Sequence, residues 1–129
     1  MTDYTMTVEM PDGILHLSQE FQVPIDEFTT VFAEYVRDIY RYYVDQAGAI
    51  RSGAFLESIH IEEGSDERQK YVKADAKYSK VVEMGWTERG RGQDSYPGRY
   101  PARDTIEFVI ASLDSGLASD AVKIRLKNK

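Results

Sequence analysis

The sequence predicts an α+β fold in which a small antiparallel sheet packs against one long helix and a C-terminal helix. Apolar residues recur at three- and four-residue spacing over residues 25–47, which indicates a long amphipathic helix. Short runs of alternating apolar and polar residues lie on both sides of this segment, as is typical of half-buried strands. A second helical spacing occurs from Ile106 to Leu113. Strands outside with helices between them favour an α+β fold.

Residues 1–20 are predicted to form a β-hairpin. Their first half alternates apolar and polar positions, and Pro11, Asp12 and Gly13 then supply residues that favour a tight turn. A second apolar run follows this turn, so strand, turn and strand are expected.

The long helix is predicted over residues 25–47. Pro24 is tolerated in a first turn, and Gly48 suits a C-terminal cap. The aromatic residues of its apolar stripe are expected to form the core. Tyr40 and Tyr42 fall partly off that stripe and indicate a second contact face, because tyrosine is favoured at interfaces.

The middle of the chain predicts two strands. Gly53 is expected to permit a turn between the long helix and the sheet. Residues 58–61 and 69–74 have strand-like composition, and the charged turn at residues 64–66 separates them.

The remainder predicts a short helix, a loop, a helix and a strand. Residues 78–84 form the short helix, which Gly85 ends, and residues 87–101 form a long flexible loop rich in glycine and proline. The C-terminal helix should stop near Gly116. Residues 119–127 alternate apolar and basic side chains and are predicted to be a basic terminal strand.

Composition indicates one globular domain over residues 1–129. The chain is 42% hydrophobic and 29% charged and contains no cysteine, which excludes disulfides and thiol catalysis. Its net charge of −6 is unevenly distributed along the sequence. Residues 1–67 contain 14 acidic and 3 basic side chains, whereas residues 68–129 contain 8 acidic and 13 basic ones. Either the two parts present opposite surfaces or folding mixes their charges.

Residues with the spacing of a catalytic or metal site are not found in the sequence. His16 and His60 each lie in a strand-like run without a second ligand at a metal-binding spacing. Phosphate-binding loops and nucleophile motifs are also missing. We therefore expect no enzyme activity, no catalytic residue, no metal ligand and no cofactor. The arginines and tyrosines of residues 89–103 resemble a single-strand nucleic-acid binder, although the acidic composition disfavours that function.

The sequence also lacks the signals of membrane insertion or export. No run of about eighteen apolar residues is present, and the N-terminus does not have the basic and apolar regions of a signal peptide. A cytosolic origin without membrane association is expected.

Three segments, in order, resemble the tail-component or tail-completion proteins that long-tailed bacteriophages encode between their head and tail genes. Residues 52–59 are similar to a family turn of the form Thr-Gly-x-Leu-x-x-Ser-Ile, with serine and phenylalanine replacing threonine and leucine. Residues 78–85 are similar to Tyr-Ala-x-x-Val-Glu-x-Gly, with serine replacing alanine, and Trp86 then stands in place of the usual threonine. Residues 101–103 resemble the Pro-Ala-Arg start of the family's final helix. The three segments span roughly residues 50–115.

The resemblance implies a structural protein with no catalytic residue. Its subunits would form a homo-oligomeric ring, expected to be a hexamer, that contacts neighbouring neck and tail proteins and lets DNA pass. Such a protein would be assembled in the host bacterial cytoplasm and located in the virion. Independently of the resemblance, Gly53, Gly85 and Pro101 are predicted to be architectural, because they permit a turn, end a short helix and start the last helix. Glu83 is either a salt-bridge partner of Arg99 or Arg103 or a solvent-facing carboxylate. The residues expected at the interface or in the loop are Tyr40, Tyr42, Glu83, Trp86, Arg89, Arg91, Arg99 and Arg103.

Two alternatives remain at this point. A head-closure stopper or a tail terminator has the same small α+β build and ring symmetry. A single-stranded nucleic-acid-binding module that uses residues 89–103 is the alternative from another functional class.

Overall fold

The computed structural model describes residues 4–46, 53–75, 85–87, 95–97 and 101–128. It confirms the α+β fold, with helices packed on a three-stranded antiparallel sheet. Before the long helix lie β1 (Tyr4–Glu9), a 3-10 turn (Asp12–Ile14) and α1 (His16–Glu20). The long helix is α2 (Ile25–Gln46), and after it come α3 (Gly53–Ser58), β2 (Ile59–Glu63), β3 (Gln69–Ala74), β4 (Gly85–Thr87), β5 (Ser95–Pro97), α4 (Pro101–Ser115) and α5 (Leu117–Lys127).

The sheet has the order β1-β3-β2, and both neighbours of β3 run antiparallel to it. Met6 of β1 and Ile61 of β2 both lie opposite Val72 of β3. Alternate residues therefore point to the same side, and on β3 the inward positions are Lys70, Val72 and Ala74. One face of the sheet thus contributes to the core.

Helix α2 is the centre of the core. It is 22 residues long and contacts the sheet as well as α4 and α5. Asp26 and Glu27 in its first turn suit the positive end of the helix dipole. Its buried residues are Phe28, Thr29, Val31, Phe32, Ala33, Tyr35, Val36, Tyr40 and Val44. This set covers more than one side of the helix because α2 lies between two layers.

The C-terminal helices are joined at Gly116, whose φ of 87° lies in the left-handed region that favours glycine. The Tyr35 hydroxyl donates a buried hydrogen bond of 3.0 Å to the Ser112 hydroxyl, which attaches α4 to α2. Arg125 of α5 donates to Asp38 of α2 at 2.6 Å. These polar contacts fix both helices at defined positions on α2.

A second polar contact joins the sheet to the start of α2. The side chain of Lys70 is 0% exposed, and its Nζ donates to Asp26 and to Glu63, each at 2.7 Å. Burial lowers the pKa of Lys70, but the hydrogen bonds to the two carboxylates outweigh it and raise the pKa above its ordinary value. The charged ammonium therefore links β3, β2 and α2.

The predicted N-terminal hairpin is wrong. Only β1 is a strand, and the residues after Gly13 form α1 instead of a second strand. The partner of β1 is β3, more than 60 residues later, in a register that joins Met6 to Val72. Burial of Ile14 and Leu17 at helical spacing stabilises the short helix and leaves no returning strand.

The predicted terminal strand at residues 119–127 is also wrong, because this segment is helix α5. Val122 and Leu126 are buried and lie four residues apart, whereas Ile124 between them is 60% exposed. An apolar residue at every second position also satisfies a four-residue spacing, and packing against α2 selected the helix.

Two smaller predictions are corrected. Gly53 begins helix α3 rather than a turn. Gly85 is the first residue of β4, and the helix that it was predicted to end lies outside the described residues. The loop predicted at residues 87–101 contains β5, which pairs antiparallel with β4, and Pro101 already belongs to α4. The predicted cap at Gly48 and the short helix at residues 78–84 lie outside the described residues.

The long helix, the strand at residues 69–74 and the end of the helix near Gly116 are confirmed. Among the helices that the structure describes, none is both long enough and apolar enough to cross a lipid bilayer.

We expect Phe32→Ala to lower the free energy of unfolding by about 3–5 kcal/mol, because it leaves a cavity in the core. Ile124→Ala is the control, since Ile124 is exposed and should change the same free energy by no more than about 0.5 kcal/mol. Chemical denaturation followed by circular dichroism measures both. Equal effects of the two substitutions would contradict the core assignment.

We expect Lys70→Met to destabilise the protein by about 1–3 kcal/mol at neutral pH through the loss of two charge-assisted hydrogen bonds. The folded pKa of Lys70 is raised, so its stabilising contribution is complete below the unfolded pKa and is lost as the pH rises through the folded pKa. The difference between wild type and variant should therefore shrink above about pH 10.5. Unfolding of both proteins between pH 7 and pH 11.5 tests this, and a constant difference would contradict it.

Candidate functional site

A groove of about 180 Å³ lies between β1, α2 and α4. Its floor is apolar and includes Phe32 and Val36 of α2. The full lining is Met6, Thr7, Val8, Glu9, Pro11, Phe32, Val36, Ile106, Val109, Ile110 and Leu113. Only one of these side chains carries a charge, so the groove suits an apolar occupant.

Two isoleucines of α4 line this groove and remain open to solvent. Ile106 is 44% exposed and Ile110 is 57% exposed, one helical turn apart. Strand β1 runs along the same groove and, within the described residues, pairs only with β3. We call Ile106, Ile110 and the edge of β1 the groove patch. Exposed apolar side chains beside a sheet edge are typical of a surface that another chain covers.

An aromatic patch lies on the other flank of α4. Tyr43 contacts Tyr42 edge-on with ring centroids 5.3 Å apart, and it contacts Phe108 of α4 at 6.3 Å. Tyr42 is 58% exposed, and Phe108 is exposed as well. Burial raises the pKa of Tyr43, and the nearby Asp104 carboxylate raises it further. Tyr42, Tyr43 and Phe108 are together called the aromatic patch.

The groove patch and the aromatic patch point in nearly opposite directions from α4. At about 100° per residue, Phe108 lies roughly 160–200° around the helix from Ile106 and Ile110. Buried residues such as Val109 lie between them and face α2. One subunit thus presents two different apolar surfaces on either side of the same helix.

The residues predicted at the interface or in the loop have different environments in the structure. Tyr42 is exposed, as expected for a contact residue, whereas Tyr40 is fully buried and belongs to the core, so its assignment to an interface is corrected. Arg103 is exposed in the first turn of α4, 3.9 Å from Asp104. Trp86 lies on β4, opposite Tyr96 of β5. Glu83, Arg89, Arg91 and Arg99 lie outside the described residues, and so does the predicted salt bridge from Glu83 to Arg99 or Arg103.

Folding mixes the oppositely charged parts of the sequence. Arg68, Lys70 and Arg125 come from the basic part, and each forms an ion pair with a carboxylate of the acidic part. The acidic partners are Asp12, Asp26, Glu63 and Asp38. Charge separation along the sequence is therefore partly neutralised within one subunit.

A cluster of one histidine and two carboxylates lies at one end of β2 and β3. His60 and Glu62 occupy alternate positions of β2, and Asp75 directly follows β3. The His60 Nε2 atom is 2.7 Å from Glu62 Oε2 and 3.6 Å from Asp75 Oδ2. Possible ligand atoms of all three residues lie within 4.8 Å of one another.

The backbone holds His60 in place within this cluster. Its Nδ1 lies 2.8 Å from the Ser58 carbonyl oxygen, and Arg41 of α2 donates to the Ile59 carbonyl at 2.8 Å. The hydrogen bonds to Glu62 and to Ser58 raise the pKa of His60, and they outweigh the opposing effect of burial.

Sequence reasoning missed this cluster. Its local signal is a histidine and a glutamate two residues apart on a strand, which places both on one face. Asp75 is brought in only by the pairing of β2 with β3, which puts His60 opposite Lys73.

Comparisons of the chain with protein-family models, with curated proteins and with solved structures found no match.

Proposed function

We propose that this chain is a structural virion protein of a bacteriophage neck or tail, a subunit of a ring that joins head to tail. The observation that carries the proposal is the pair of unlike apolar patches on opposite sides of α4. A head-to-tail ring requires two different complementary surfaces on every subunit, whereas a two-fold dimer uses one surface twice. The groove patch and the aromatic patch meet that requirement.

The segments that resemble the tail-completion family also support this proposal. Residues 53–58 form a helix rather than the turn of the family's first segment, but this helix leads directly into β2, in keeping with the strand expected after that segment. Pro101 and Ala102 open α4 and are both buried, which agrees with an architectural role for the third segment. The described part of the second segment is Gly85 alone.

In the proposed ring, the aromatic patch of one subunit packs against the groove patch of the next. Tyr42 and Phe108 supply rigid aromatic surface, which contributes strongly to interfaces. Ile106, Ile110 and the edge of β1 form the receiving side. Apolar contacts carry most of the affinity, because several ionic groups already have partners within the subunit.

Electrostatics then act on register and on the rate of encounter. The connection between β4 and β5 contains Arg89 and Arg91, and Arg99 follows β5. Strands β4 and β5 pair with each other, and contact with a neighbouring subunit would add to the stability of this two-stranded sheet. These arginines would meet acidic side chains of that neighbour.

The first test replaces Ile110 by glutamate. A charge buried in an apolar contact is strongly unfavourable, so Ile110→Glu should abolish ring assembly while the free energy of unfolding changes by no more than about 1 kcal/mol. Native mass spectrometry of the full chain, alone and with its neck partners, measures the oligomer. Ile124→Glu is the matched control, because Ile124 is equally exposed but lies on α5, away from the lining of the groove. It should assemble as wild type does.

Two results would contradict this proposal. A protein that stays monomeric with every partner present would exclude the ring, and equal impairment by Ile110→Glu and Ile124→Glu would exclude the groove patch as the contact.

The second test reverses charge at Arg89, Arg91 and Arg99. The triple glutamate variant should assemble more slowly than wild type and lose most of the salt dependence of assembly, since exposed pairs are screened beyond about 10 Å at 0.1 M salt. Light scattering over a salt series follows the rate. Reversal of Lys123 and Lys127 on α5 is the control and should have no such effect. An assembly rate indifferent to both salt and the triple substitution would remove electrostatics from the proposal.

The same triple variant distinguishes ring assembly from the alternative function, which is nucleic-acid binding. A single-stranded nucleic-acid-binding module would bind a labelled oligonucleotide through stacking and phosphate contacts, with an affinity that falls steeply as salt rises. Tight oligonucleotide binding by a monomer, lost in the triple variant, would favour that function over the ring.

A further inference from the structure

We propose that His60, Glu62 and Asp75 form a binding site for a divalent first-row transition metal ion, with Zn²⁺ as the best chemical fit. The inference is independent of the ring, because all three ligands belong to one subunit. It starts from geometry. Three potential donor atoms lie within 4.8 Å of one another at the end of a paired strand ladder.

The distances suit a metal of this size. Zinc bonds of about 2.0–2.2 Å place two ligands of a tetrahedral centre about 3.4 Å apart. His60 Nε2 lies 2.7 Å from Glu62 Oε2 and 3.6 Å from Asp75 Oδ2, on either side of that value. Both carboxylates are exposed, so small rotations of their side chains bring the oxygens to ligand distance without moving the backbone.

The orientation of His60 distinguishes this site from a surface cluster of acids. Its Nδ1–H donates to the Ser58 carbonyl oxygen at 2.8 Å, so Nε2 is the ring atom that faces the carboxylates. Without an ion, Nε2–H donates to Glu62 at 2.7 Å, and a bound metal ion would replace that proton. Metal-binding histidines commonly make this second hydrogen bond, because it fixes the tautomer and the ring. The Ser58 carbonyl is itself held by the start of β2, which Arg41 attaches to α2 through Ile59.

The ligand types determine the class of ion. An imidazole nitrogen favours zinc, nickel, copper and iron over magnesium and calcium, which prefer oxygen ligands alone. Two carboxylates supply charge to balance a divalent cation, and three protein ligands leave a fourth position for water. Lys73 lies opposite His60, with its Nζ 4.0 Å from an oxygen of Asp75, and it competes with the metal for that carboxylate. We therefore expect moderate affinity.

The site has a structural consequence. His60 and Glu62 are on β2, whereas Asp75 is the residue at which the chain leaves β3 for residues 76–84. A bound ion would clamp this exit to the neighbouring strand.

The test is isothermal titration calorimetry of the untagged full chain, stripped of metal with a chelator and titrated with ZnCl₂. We expect one Zn²⁺ per subunit and a rise in Tm with the metal. His60→Gln and Asp75→Asn should each weaken binding by at least about tenfold and remove the rise in Tm. The controls are His16→Gln and Asp66→Asn, which change an exposed histidine and an exposed acid elsewhere and should bind as wild type does.

NMR of the two histidine rings gives a second measurement that does not depend on the stability of any variant. Zn²⁺ should shift the ring signals of His60 and leave those of His16 unchanged. Absence of one-to-one binding would overturn the proposal, as would equal weakening by His16→Gln. Stronger binding of Mg²⁺ than of Zn²⁺ would overturn the assigned class of ion.

Discussion

The burial of α2 on two sides is the constraint on which the rest of the structure depends. The three-stranded sheet covers one side of this helix, and α4 and α5 cover another. Lys70 fixes its N-terminal end to the sheet, while Tyr35 and Asp38 fix its middle to the C-terminal helices. Because both layers take their positions from α2, the groove patch and the aromatic patch are set at the two margins of one interface between helices.

The sequence correctly predicts the elements whose apolar pattern fits only one type of secondary structure. The helical repeat of α2 extends over 22 residues and is unambiguous, and β3 follows the charged turn at residues 64–66, so the sequence predicts both closely. The sequence-based prediction fails where a two-residue strand period and a four-residue helical spacing coincide, as at Val122, Ile124 and Leu126. There, only packing against α2 favours the helix. It also fails at β1, because turn residues after a strand suggest a local partner and the actual partner is distant.

The same distinction applies to the candidate sites, because a local pattern predicts some of their residues and only the fold brings the others together. Tyr42 is exposed, as its place off the apolar stripe predicted, but Tyr40 is buried because α2 is covered on more than one side. The sequence does not predict that Ile106 and Ile110 are exposed, because apolar residues at their spacing are typical of a helix face buried in the core. Glu62 and Asp75 are far apart in sequence, and only the register of β2 with β3 brings them to one histidine.

The ion pairs within the subunit bear on how the proposed ring would be held. A separation of charge along the sequence favours an acidic edge that meets a basic edge, but Asp38 and Asp26 already have cationic partners in their own chain. Charges satisfied inside a subunit contribute little across an interface. Apolar area would then supply the affinity of the proposed ring, and the exposed side chains on both flanks of α4 are among those that the described residues offer for it. In the proposed ring, the arginines between β4 and α4 would add direction to an association that the apolar patches would stabilise.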